Sequence, residues 1–147
     1  MENISRELNE IVDIASIRFK KFSHKDWEHR ESPGKWSRKQ ILGHLIDSAS
    51  NNHQRFIRAQ LDDNLMITYA QDSWVAVQDY NNTAIENLVN LWINYNKHLA
   101  YIISKIPKEK YGNFCNIGKE QPVTLEWLVK DYIRHLNHHL DQLLGEI

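Results

Sequence analysis

Along four stretches of the 147-residue chain, apolar residues recur at spacings of three and four, the period of one helix face. In the first, from about Asn3 to Phe22, the residues Ile4, Leu8, Ile11, Ala15, Phe19 and Phe22 share a side and the charges take the other. The second opens after Ser37, where Gln40 completes a capping-box pattern that satisfies free amide donors of the first turn. It runs to about Leu61 with Ile41, Leu42, Leu45, Ala49 and Phe56 on its apolar side. Thr83 and Glu86 repeat the capping pattern ahead of the third helix, whose stripe from Ile85 through Trp92 and Leu99 to Ile106 stops before Pro107. Thr124 caps the fourth, which places Leu125, Val129, Tyr132, Leu136, Leu140 and Leu143 on one side.

The intervals lack this period. Residues 23–36 are polar and broken by Pro33 and Gly34, which predicts a loop. Residues 62–82 are too long for an idle connection and carry Met66, Tyr69, Trp74, Val75, Val77 and Tyr80. They are expected to pack over one end of the helices as a lid, with a short helix near Trp74. A further loop spans 107–123. The pattern predicts an all-α chain, 1–147, folded as one four-helix-bundle domain whose long connections include crossovers.

Composition narrows the function. At 41% hydrophobic and 25% charged the chain is globular in type. A formal net charge of -1 with scattered basic residues argues against nucleic acid as a partner. No stretch approaches a membrane span, and acids at the start do not fit a secretory leader, so a cytoplasmic location is expected. The single cysteine, Cys115, agrees with a reducing compartment and reads as a plain loop residue.

Candidate chemistry lies with the eight histidines. His135 and His139 stand one turn apart on the fourth helix, so both rings can reach a single ion if a third donor comes from elsewhere. The same spacing also fits two hydrogen-bonded packing residues. On the second helix His44, Ser48, Asn51 and Arg55 form a column beside the apolar stripe, with Asp47 close by. That column reads either as a solvent boundary or as one wall of a site completed by His44. His24 and His29 fall in a loop, His98 lies off the third stripe, and Asn96 within it needs a buried partner.

Residues 34–56, GKWSRKQILGHLIDSASNNHQRF, together with YAQDSWVAVQDY and DYIRHLNHHLDQLL, resemble the DinB/YfiT-like superfamily over most of the chain. The resemblance implies an up-down-down-up bundle with a divalent metal, zinc or nickel, on three histidines: His44, His135 and His139. His138 points away from that set. The resemblance further implies a homodimer and two activities, hydrolysis of a small substrate and transfer of a low-molecular-weight thiol to an electrophile. Thiol transfer is the expectation here, because YfiT-like members include thiol transferases. In that scheme Asn51 and Arg55 bind an anionic group of the substrate. Asp47 acts as a base or orients His44, Asp131 accepts from His135, and Tyr69 and Trp74 close over the electrophile. The competing reading is a non-catalytic metal- or ligand-binding bundle in stress response.

Overall fold

A computed structural model describes residues 1–145 of the chain. Four long helices make its frame: α1 (Glu2–Phe19), α3 (Arg38–Leu61), α5 (Ile85–Lys105) and α6 (Leu125–Leu144). Two short helices join them, α2 (His24–Glu28) and α4 (Gln71–Gln78). The helix starts follow local chemistry. The Ser37 hydroxyl accepts from the Gln40 amide while the Gln40 side chain accepts from the Ser37 amide. The Thr124 hydroxyl accepts from the Trp127 amide at 3.2 Å.

Cross-helix contacts fix the directions. The Ser5 hydroxyl donates to the Ala100 carbonyl and Phe19 packs edge-on to Trp92, so α1 and α5 run antiparallel. His44 meets His139 while Phe56 meets Tyr132, which makes α3 and α6 antiparallel. Arg18 donates to the Leu144 carbonyl and the N-terminus meets Tyr111 shortly before α6, so α1 and α6 run the same way. The bundle is therefore up-down-down-up, with α3 and α6 adjacent. Between the helices lies a core in which Leu8, Phe56, Trp92, Leu99, Leu136 and Leu140 are fully buried. Asn96 does find its partners there: it accepts from the Tyr132 hydroxyl at 2.5 Å and donates to the Trp92 carbonyl.

Three details differ from expectation. Residues 24–28 form a helix in place of open loop, because Ser23 and Asp26 make a reciprocal cap and Trp27 buries against Phe19 and Phe22. α5 begins after Ala84, one residue beyond the expected cap, with no side-chain cap, and the Thr83 amide donates instead to the Tyr80 carbonyl of the 3-10 turn Tyr80–Asn82. A small sheet also joins the loops: β1 (Leu65–Met66) pairs parallel with β2 (Phe114–Asn116), and β2 pairs antiparallel with β3 (Val123–Thr124). Cys115 lies buried in β2, so it is a strand residue, and burial pushes its thiol above the ordinary value. The 62–82 segment packs on α3 through α4, which contains Trp74 as expected.

Candidate metal centre

α3 and α6 bring His44, His135 and His139 together. One ring nitrogen from each lies within 4.8 Å of the other two. His44 Nε2 and His135 Nε2 are 3.3 Å apart, and ligand nitrogens bound tetrahedrally at 2.0–2.1 Å from zinc stand at about that separation. The rings meet edge to face, with centroids 4.5 to 5.1 Å apart.

The remaining ring nitrogens point to the same arrangement. His139 Nδ1 lies 2.8 Å from Gln142 Oε1, and His135 Nδ1 lies 3.5 Å from Ser48 Oγ. If each Nδ1 carries the proton, each Nε2 offers its lone pair. His44 Nδ1 is buried with no partner among the described residues, and the Trp36 ring lies 5.0 Å from the His44 ring.

His44 is 0% exposed, whereas His135 and His139 are half-buried. Burial, followed by the charges of His139 and His135, pushes His44 down to about 3. Burial, followed by His139, pushes His135 down to about 4, and burial lowers His139 as well. All three rings are therefore neutral near pH 7, the state in which imidazole ligates. Among the described residues the converging group holds three imidazoles and no fourth ligand side chain. His139 lines a cleft of ≈ 670 Å³ whose walls include Trp36, Lys35, Arg38, Asp72 and Gln142.

The polar column of α3 is interior. Ser48, Asn51 and Arg55 are buried, so the solvent-boundary reading of these residues is wrong. Their side chains bond locally. Asn51 donates to the Asp47 carbonyl at 2.9 Å, and Arg55 donates to the Ile67 carbonyl at 3.1 Å. Arg55, 9% exposed, has no carboxylate partner among the described residues, and its Nε is unpaired. The Asp47 carboxylate accepts from the Tyr80 hydroxyl at 2.6 Å and from Gln78 at 2.5 Å, with no recorded bond to His44. Burial raises its pKa, against the lowering effect of those two donors. Tyr80 reaches Asp47 by crossing Gly43, where any Cβ would overlap the tyrosine ring. Asp131 accepts from Arg134, not from His135. Tyr69 and Trp74 pack on each other, 5.4 Å between ring centroids.

Gln142, Trp36 and Tyr80 were not singled out from the sequence. For Gln142 a signal was present: it follows His139 by three residues and His138 by four, the two spacings that make helix neighbours.

Comparison with known proteins agrees with this architecture. A family profile described as the DinB superfamily matches residues 9–143. A Bacillus cereus (strain AH820) protein, named as a presumed metal-dependent hydrolase, is 25% identical over 152 aligned positions, which span 97% of this chain and 86% of the relative. YfiT from Bacillus subtilis, described as a probable metal-dependent hydrolase with an unusual four-helix bundle topology, superposes with a TM-score of 0.86 at 16% identity. That superposition covers 96% of this chain and 82% of YfiT. A mycothiol-dependent maleylpyruvate isomerase superposes with a TM-score of 0.77 at 12% identity, over 100% of this chain and 62% of the isomerase.

Proposed function

Because the chain belongs to the DinB superfamily, and because α3 and α6 carry three imidazoles to one point, we propose that it is an enzyme acting on a small molecule with a divalent ion held by His44, His135 and His139. The observation that carries this reading is the meeting of three neutral ring nitrogens at the edge of an open cleft. A bound divalent ion would supply a nucleophile at neutral pH, since coordination lowers the pKa of water from ~15.7 to about 7 and deprotonates a thiol outright.

The chain's own residues divide the remaining work. His44, itself fully buried, anchors the site from within, with Trp36 of the cleft wall packed 5.0 Å from its ring. His139 faces the cleft, through which the substrate arrives. The cleft wall carries both signs of charge, Lys35 and Arg38 beside Glu31, Asp72 and Asp141, so it suits a polar substrate without selecting for an anion. Asp47 holds Tyr80 and Gln78, and through them the segment that ends in α5. Asn51 and Arg55 lie buried farther along α3, away from the cleft wall, where Arg55, with no carboxylate partner among the described residues, favours negative charge on any part of the substrate that reaches it.

Hydrolysis is the first reading, favoured by the name of a relative that aligns with nearly the whole chain. Transfer of a small thiol is the second, favoured by the structural likeness to a thiol-dependent isomerase. Zinc and nickel both suit three imidazoles, and availability selects between them.

The test is protein purified without chelators, analysed for metal, and assayed against chromogenic esters and against a thiol with an electrophile. Turnover that vanishes on chelation and returns with zinc or nickel supports the reading. A protein that gains thermal stability from metal but turns over nothing is the binding module instead.

A further inference from the structure

Outside the three rings, the cleft wall presents one side chain that touches two histidines at once. Gln142 Oε1 lies 2.8 Å from His139 Nδ1, and Gln142 Nε2 lies 3.1 Å from His138 Nε2. His138 lies outside the group whose nitrogens converge, and its ring centroid stands 5.0 Å from that of His139. The amide bridges them across the next turn of α6.

An amide has one accepting end and one donating end, so its orientation decides which tautomer each neighbouring ring adopts. With Oε1 toward His139, the proton must sit on Nδ1, and Nε2 keeps its lone pair. With the amide reversed, Nδ1 would accept, Nε2 would carry the proton, and the ring could not ligate. The structure has the first orientation, with Oε1 on His139 Nδ1 and the amide NH2 left to His138 Nε2. We infer that Gln142 is a positioning residue, locking His139 in the tautomer that presents Nε2 to the ion, with His138 taking the other end of the amide. This rests on the three-histidine reading, because only a ligand role makes one His139 tautomer productive. It gives work to a histidine that ligates nothing, and to a glutamine exposed to solvent on a helix surface.

The test compares wild type with Gln142→Met, which keeps helix propensity and removes both hydrogen bonds, and with Gln142→Glu, which keeps the acceptor. Long-range ¹H–¹⁵N spectra of the metal-free proteins report the tautomer of His139. Zinc affinity is read by competition with a chromogenic chelator. The expected result is Nδ1-protonated His139 in wild type and in Gln142→Glu, and a mixture of tautomers in Gln142→Met. Zinc affinity should fall about tenfold in Gln142→Met, the lower end for losing an outer hydrogen-bond partner at an exposed position. It should be retained in Gln142→Glu, while His138→Ala should shift the tautomer part of the way. An Nε2-protonated His139 in metal-free wild type, or the same tautomer in Gln142→Met, overturns the role of Gln142. A wild type that shows the predicted tautomers but binds no zinc overturns the metal reading on which the inference rests, and leaves only control of the His139 tautomer by Gln142.

Discussion

α3 carries histidines on two faces, and the two surroundings part ways. Toward α6, His44 meets His135 and His139 in a place that is dry on one side and opens to a cleft on the other. Toward α5, His53 meets Tyr95 and His98: His53 Nδ1 lies 3.2 Å from the Tyr95 hydroxyl, and the two imidazole rings stand 5.4 Å apart. Both clusters pair rings edge to face, so proximity alone does not separate them. What separates them is a third nitrogen donor and burial of the inner ring. A close pair of histidines becomes a metal centre only when a third helix position converges on it.

Replacing His135 with Ala should break the contrast outright. Zinc affinity should fall by more than about 100-fold, beyond the loss expected for an outer partner, whereas His53→Ala should leave it unchanged. Chelator competition on the two variants reads both.

Acid titration sharpens the contrast next. In the unfolded chain a histidine titrates near 6.5, whereas folded His44 and His135 are held at about 3 and about 4. Between those values the unfolded state binds more protons, so stability of the metal-free protein is full above about 6.5 and is lost as pH falls toward 3. Each ring contributes up to about 1.4 kcal/mol per pH unit in that window, with Asp47, raised by burial, acting in the opposite sense. Urea midpoints should fall on acidification, and less steeply in His44→Phe. His53, half-buried, is lowered by burial and then by His98, so His53→Phe should alter the slope less.

The support beneath each cluster gives the smaller effects. Gly43→Ala forces a methyl group into the Tyr80 ring and should cost about 3 kcal/mol, the upper range for overpacking. Tyr80→Phe removes one of two donors to the buried Asp47 carboxylate and should cost about 1–2 kcal/mol. Its counterpart on the other face, Tyr95→Phe, should change stability by less than about 0.5 kcal/mol. Thermal or urea denaturation of the three variants orders them.

The helical frame was legible because it depends on short-range signals: the stripes, the Ser37 and Thr124 caps, and the breaks at Pro33 and Pro107. The same kind of signal misled at Thr83, where a preceding 3-10 turn had already engaged the amide. It was overlooked at Ser23 and Asp26, whose spacing does mark a helix start. The sheet could not be read, since its strands are only two or three residues long, with no period to detect, and β1 pairs with β2 across about fifty positions of chain.

At the site, the spacing of His135 and His139 was visible, but the convergence of His44 rested on family resemblance, because periodicity cannot say which helices become neighbours. For Ser48 and Asn51 the sequence left a solvent edge and a site wall equally open, because polar residues beside an apolar stripe fit both. They are buried because α6 and the α4 segment cover that border as well. The bonds of Asp47 to Gln78 and Tyr80 bridge 31 and 33 residues and leave no trace in local spacing.

The claim on which the rest stands is that imidazoles from α3 and α6 share one divalent ion. X-ray absorption at the zinc edge, on protein loaded with one equivalent of zinc, tests it most directly. The account predicts three imidazole nitrogens at about 2.0–2.1 Å, with one imidazole lost from the shell in His44→Ala. A shell of oxygen alone, or one unchanged by that substitution, would contradict it.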